Sequence, residues 1–276
     1  MQQAASTPNR QPDKLAFMCL ILFAYQHHPD FPLIVAANRD EFYERPTRSP
    51  HYWEDHPEIF AGRDLQAGGT WMGVSKHGRF AAVTNYREPR EVPVNAISRG
   101  ALCTHFLNGD MSINEYLKKL DEQRQAYAGF NLLTGDFSDP DNPRLGYFSN
   151  RQTLRESQLE PGIYGLSNGL LNEPWPKVLN GTKALKQKLH DSAAAIQTIL
   201  LDDKTAPPQQ LPDTGIEKTL ELQLSSRFIN IKDYGTRSTT VLRINSQGTI
   251  EWRDQSFGQH GALDPPQVFN IPITGR

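Results

Sequence analysis

The sequence predicts an α+β domain built mainly from antiparallel sheets. Three observations carry that expectation. Short apolar runs bounded by turn residues stand at both ends of the chain. Stretches of helical composition stand between them. No internal repeat, low-complexity tract or clear linker divides the 276 residues. Residues 1–17 are polar and irregular, with Pro8 and Pro12 among them, and read as a disordered extension. Residues 18–276 then form the single domain.

Taken in order, Met18 to Tyr25 is short, apolar and followed by the turn His27-His28-Pro29-Asp30, so it reads as a buried first strand. Leu33 to Ala37 is a second strand, paired with the first in a central sheet. The Pro-rich segment from Pro46 to Pro57, with Tyr52 and Trp53 inside it, reads as a loop over the end of that hairpin. Gly68-Gly69 suggests close backbone approach or positive φ. Thr70 to Val74 and Arg79 to Thr84 flank Ser75-Lys76-His77-Gly78, a hairpin signal expected beside the first hairpin. Ser98 is positioned to cap a helix over Arg99–Asn108, and Ser112 with Glu115 forms a capping-box pattern opening Ile113–Tyr127. Phe130–Thr134, Arg144–Ser149 and Gly162–Leu166 read as strands. Trp175–His190 and Ser192–Leu201 are helical by composition. Asp202–Gly215 is a polar loop, and Ile216–Leu224 fits either class. Thr239–Asn245 and Thr249–Arg253 form the last hairpin across Ser246-Gln247-Gly248.

Hydrophobic content of 37% and charged content of 22% are those of a globular protein in water. A net charge of -2 gives no general electrostatic reason to expect nucleic acid or an anionic membrane. Trp71, Phe80 and Tyr86 lie on a hairpin rather than in a basic stripe, which also argues against nucleic acid. The run Leu15 to Tyr25 is too short to span a bilayer, so no transmembrane segment is expected. No small-residue cleavage site follows it. Most of the run comes after Cys19, the wrong order for a lipid anchor. Cys19 and Cys103 alone make no disulfide framework, and a cytoplasmic location fits. No Cys/His pair has metal-ligand spacing, and Gly68-Gly69 and Gly162 lack the context of a nucleotide loop, so no metal or cofactor is expected.

The chemistry gathers where apolar runs end. Val35-Ala36-Ala37 hands over to Asn38-Arg39-Asp40-Glu41. In an extended strand Asn38 and Asp40 point one way and Arg39 and Glu41 the other. By residue type alone, these residues form a structural ion pair closing a strand. Asn85, Asn168 and Arg237 also follow apolar runs, and Cys19 opens the first one. Each has an ordinary explanation: a packed thiol, turn amides, an ion-paired arginine. Together they are also the parts of cysteine-based amide hydrolysis. A thiol attacks a carbonyl, amides hold the oxyanion, and Arg and Asp tune the thiol and hold the substrate. No histidine is placed as the base, which leaves the α-amine of an N-terminal nucleophile.

Longer motifs carry a resemblance. They are Met18-Cys19, Ala37 to Phe42 with Arg45-Pro46-Thr47, Ala61-Gly62-Arg63-Asp64, Gly68 to Val74 and Thr84 to Arg87. They continue with Ser98-Arg99-Gly100, Gly129 to Leu133, Leu166-Ser167-Asn168, Pro174-Trp175-Pro176-Lys177 and Tyr234 to Ser238. From Met18 to about Phe257 the chain resembles the NRDE family, also called the transport and Golgi organization protein 2 family. That family in turn resembles the N-terminal nucleophile (Ntn) hydrolases. The resemblance implies a four-layer αββα sandwich and a hydrolase or acyltransferase acting on an amide or thioester of a small molecule. It implies Cys19 as nucleophile, Arg39 and Asp40 beside it, Asn85 and Asn168 as amides, and Arg237 as the late arginine. Asn38 and Glu41 are the alternatives to Arg39 and Asp40. The other function it implies is a non-catalytic carrier of a hydrophobic ligand such as haem, a lipid or an acyl-CoA, tied in eukaryotic members to Golgi organisation and secretion. Seventeen residues precede Met18, and the Cys19 amine is free only if the chain starts at Met18 or is cleaved there.

Overall fold

The computed structural model describes residues 19–88, 97–153 and 158–274. The expected extension, residues 1–17, lies outside them. In chain order the first six strands are β1 (Cys19–Tyr25), β2 (Leu33–Phe42), β3 (Thr47–Tyr52), β4 (Ile59–Asp64), β5 (Met72–Ser75) and β6 (Arg79–Asn85). Helices α1 (Gly100–Asn108) and α2 (Ile113–Glu122) follow. Strands β7 (Phe130–Asp136), β8 (Arg144–Ser149) and β9 (Gly162–Leu166) come next, then helices α3 (Pro176–Gln187), α4 (Ala193–Gln197) and α5 (Lys218–Gln223). The chain closes with β10 (Asn230–Ile231), β11 (Tyr234–Ile244), β12 (Thr249–Gly258), β13 (Gly261–Ala262) and β14 (Gln267–Pro272).

Every strand pair is antiparallel. One sheet runs β13-β12-β11-β2-β1-β9, with β10 on β11 and β14 on β12; the other runs β3-β4-β5-β6-β7-β8. Strand alternation explains why β1 is apolar throughout. Ile21, Phe23 and Tyr25 pack between the sheets against Phe60, Phe80 and Trp252. Leu20, Leu22 and Ala24 face the other way, onto Val178 and Leu185 of α3 and Ile196 of α4. The second sheet does the same with Ala81 and Leu132, which pack on Leu102 and Phe106 of α1 and Leu117 of α2. Each such fully buried side chain contributes roughly 1.5–3 kcal/mol of transfer free energy. The result is the four-layer αββα sandwich.

Three expectations are corrected. The hairpin β5–β6 lies in the second sheet, facing β1–β2 rather than extending their sheet. The Pro-rich segment is not a loop but β3, entering β4. It tolerates Pro50 because β3 is an edge strand with an irregular register between Arg48 and His51. Ser98 does not cap α1, whose N-cap is Arg99 with no capping hydrogen bond from its side chain. The capping box of Ser112 and Glu115 is present. Ile216–Leu224 resolves as the short helix α5, and β14 had no signal in the sequence. Gly68 has φ +77°. A Cβ on Gly69 would sit 2.5 Å from the Gly100 carbonyl carbon, so both halves of the glycine reading hold. This contact sets the start of α1 against the loop leading to β5.

Candidate functional site

The site lies where β1 begins and β2 ends. Cys19 is paired in register with Arg39, so both side chains share the face between the sheets. A cavity of about 330 Å³ opens there, lined by Cys19, Arg39, Asp40, Glu41 and Asn85 among others. The strand period sorts the four polar residues of β2. Asn38 turns away, and its Nδ2 donates to the carbonyls of Leu200 and Arg227 at 2.9 and 2.7 Å. Asp40 shares that direction at the strand end, and Oδ1 accepts from Thr236 Oγ1 at 2.6 Å. Its Oδ2 is buried with no hydrogen-bond partner among the described residues.

Arg39 and Glu41 face the opposite way. The Arg39 guanidinium stacks 4.4 Å from the Trp71 ring and lies 3.5 Å from Glu41 and 3.9 Å from Asp64. Arg45 closes the ring of charge, 2.8 Å from Asp64 and 3.5 Å from Glu41. Arg99 enters from the start of α1 and lines the same cavity.

Burial and then the Asp40 carboxylate push the Cys19 thiol up to about 12, against smaller opposing effects from the Asp40 N–H and Arg39. Arg39 favours the thiolate, but burial outweighs it. Asp40 is raised by burial and held down chiefly by the charge of Lys177. Lys177 is 4% exposed in the first turn of α3, where burial lowers its affinity for a proton and Asp40 restores it. A cation in the first turn of a helix is poorly placed for the helix dipole, so Asp40 offsets two costs at once.

Asn168 reaches Cys19 through its backbone. The Cys19 N–H donates to Asn168 Oδ1 at 3.4 Å, and Asn168 Nδ2 donates to the Asn85 carbonyl at 2.8 Å. Ser167 Oγ donates to the Cys19 carbonyl at 2.9 Å. Asn168 thus ties β1, β6 and β9 together at the site.

Arg237 sits apart from the main cavity, at the irregularity between Thr236 and Ser238 on β11. Its Nη1 donates to the carbonyls of Phe42 and Arg45, and its Nε to that of Phe257. Of the sequence-predicted residues, Cys19, Arg39, Asp40 and Asn85 line one cavity, Asn168 grips Cys19, and Arg237 braces the end of β2. Glu41, an alternative in the sequence, lines the cavity; Asn38 does not. Sequence reasoning gave no role to Asp64, Arg99, Lys177 or Thr236. All four lie inside the matched motifs, which was the available signal.

The family model for Transport and Golgi organisation 2 matches residues 18–259. The chain belongs to that family. The mouse (Mus musculus) Transport and Golgi organization 2 homolog is 36% identical over 258 residues, covering 87% of this chain and 93% of that protein. The human (Homo sapiens) homolog is 35% identical with the same coverage. The Drosophila melanogaster protein is 27% identical over 92% of this chain and 96% of its own length. Among solved structures, a conjugated bile acid hydrolase variant from Clostridium perfringens aligns over 94% of this chain and 95% of its own, at 9% identity and a TM-score of 0.43. Penicillin V acylase from Agrobacterium tumefaciens aligns over 92% and 86%, at 11% identity and a TM-score of 0.38. No helix among the described residues of this family member is long and apolar enough to cross a membrane.

Proposed function

We propose that residues 18–276 act as one cytoplasmic domain, a cysteine-type Ntn hydrolase or acyltransferase that cleaves an amide or thioester of a small molecule. One observation carries the reading. The thiol and the backbone nitrogen of the same residue, Cys19, stand at a polar cavity that Asp40 also lines, and the buried Asp40 Oδ2 has no hydrogen-bond partner among the described residues. A thiol held near 12 needs a base to react near neutrality. With residue 19 at the chain start, that nitrogen becomes an amine and supplies the base.

The thiol proton then passes to the amine as sulfur bonds to the substrate carbonyl carbon. Asn85, which lines the cavity, supplies the amide that holds the oxyanion in this reading. The C–N or C–S bond breaks as the amine gives its proton to the leaving group. Water or an acceptor takes the acyl group and restores the thiol. Asp40 and Asn168 orient the amine, Arg39 holds the substrate, and Arg237 positions β2.

A non-catalytic binder is the second reading, favoured by the same raised thiol if residue 18 stays attached. The cavity's ring of charged groups suits a polar ligand better than a wholly apolar one. The two readings separate on a chain started at Met18. Intact mass is expected to show Cys19 as residue one. Cys19→Ser is expected to keep the melting temperature and lose hydrolysis of simple amides and thioesters. Full activity in a chain that carries one extra residue before Cys19 overturns the Ntn reading.

A further inference from the structure

We infer that Arg99 forms an anion subsite on the wall of the Cys19 cavity, so that the molecule cleaved there carries a carboxylate or phosphate group. This rests on the reading of Cys19 as the reacting residue, but its geometry does not. The argument is a balance of charge. Among the described residues, Arg39 and Arg45 are each within 4.0 Å of both Glu41 and Asp64, which sets two cations against two anions. Asp40 faces Lys177. Of the three arginines that line the cavity, Arg99 is the one left over among the described residues. Its guanidinium makes no ion pair among the described residues, and its one side-chain hydrogen bond runs from Nη1 to the Gly129 carbonyl at 3.3 Å.

Arg99 is half-buried and lines the same cavity as Cys19 and Glu41. A guanidinium with uncommitted donors in a confined space binds oxyanions in fork geometry. The setting adds to this. Arg99 is the N-cap of α1, whose first turn contains no acidic residue, so the positive end of that helix faces the same space. An anionic group held there fixes one end of a substrate while its carbonyl meets Cys19 Sγ, which converts binding into orientation.

The test uses two electrophiles that differ in charge, iodoacetate and iodoacetamide, on the chain started at Met18. The ratio of their labelling rates at Cys19 cancels the intrinsic reactivity of the thiol. It is expected to fall about tenfold in Arg99→Gln, the scale of one charge-assisted hydrogen bond. Arg99→Lys is expected to retain most of the preference. An unchanged ratio in Arg99→Gln overturns the subsite. A second measurement does not need Cys19 to react. At fixed ionic strength, inorganic phosphate and propionate are compared with chloride for their effect on melting temperature. A rise with phosphate alone assigns a phosphate site, and a rise with propionate assigns a carboxylate site. Either rise must vanish in Arg99→Gln; no rise, or an equal rise in the variant, overturns the proposal. Labelling by neither reagent, with anion stabilisation intact, instead defeats the catalytic reading and leaves the subsite standing.

Discussion

Two regions of the molecule are built from the same three parts and behave differently. Near the sheet edge, Arg63 pairs with Asp55 at 2.6–2.7 Å through two nitrogens and stacks 4.2 Å from the Trp53 ring. Behind the site, Arg87 pairs with Glu221 at 2.7 Å and lies 5.0 Å from the Trp175 ring. The first pair is 24% and 50% exposed, the second 2% and 5%. Water screens the first and leaves the second to act through a low dielectric. The buried pair also reaches the site. The Arg87 N–H donates to the Asn168 carbonyl at 2.7 Å, and both Arg87 and Glu221 bear on the charge of Lys177, which faces Asp40. The same three parts therefore do not have equal consequence: the surroundings of a pair decide its worth.

The largest effect that sharpens this contrast is removal of one buried partner. Arg87→Met takes away the ion-pair partner of Glu221 and leaves its hydrogen bond from Thr214 Oγ1 at 3.0 Å. The expected loss is about 3–5 kcal/mol in denaturant unfolding. A loss below about 1 kcal/mol would mean that Glu221 is relieved by protonation or water, and the contrast would collapse.

Asp254 supplies a third environment, a buried carboxylate with no ion-pair partner among the described residues. Thr240 Oγ1 donates to it at 2.6 Å, and burial raises it to about 7. Below pH about 4 both folded and unfolded chains hold this proton. Between there and about 7 the folded chain keeps a proton that the unfolded chain has released, so stability falls as pH rises. Asp254→Asn is expected to remove that slope. From pH 4 to 7 its stability should rise relative to the parent by roughly 3 kcal/mol, somewhat less than the limiting 1.4 kcal/mol per unit. Parallel pH–stability curves for the two chains would show that Asp254 is ionised in the fold.

The site itself gives a smaller term. Asp40→Asn and Lys177→Met should each destabilise, and the double variant should lose less than the two combined. The expected coupling is about 1–3 kcal/mol, measured by a double-mutant cycle. Strict additivity would separate Lys177 from Asp40 and remove it from the site.

What the sequence revealed and what it hid divide along the same line. The strand runs of β1, β2, β6 and β7 were legible because they are apolar on both faces, and burial on both faces is a local signature. The start of α2 was legible from Ser112 and Glu115, a contact four residues wide. β3 was misread because its prolines are tolerated only at an edge, and edge position is a property of the whole sheet. The gathering of Cys19, Arg39, Asp40 and Asn85 followed from strand ends and from motif resemblance. The partner of Asp40 did not. Lys177 stands 137 positions away in sequence (177 less 40), on a helix that the packing of α3 over the first sheet brings to Asp40. Arg99 and Asp64 were in view as motif letters, but their charge balance exists only in three dimensions.

The smallest expected effect is at the exposed pair, and it is the sharpest check on the contrast. Arg63 holds the Asp55 carboxylate down at about 2. A depressed carboxylate contributes stability that is present above its unfolded value and is lost as pH falls through its folded value. Solvent screening and the cost of fixing two long side chains cancel most of that contribution at an exposed site. Asp55→Asn is therefore expected to leave the melting temperature at pH 7 within about one degree of the parent. Raising salt from 0.05 to about 1 M, where the screening length falls to about 3 Å, should erase even that difference while the loss in Arg87→Met persists. A drop for Asp55→Asn comparable to that for Arg87→Met would show that exclusion of water does not set the strength of the buried pair apart from that of the exposed, bidentate one.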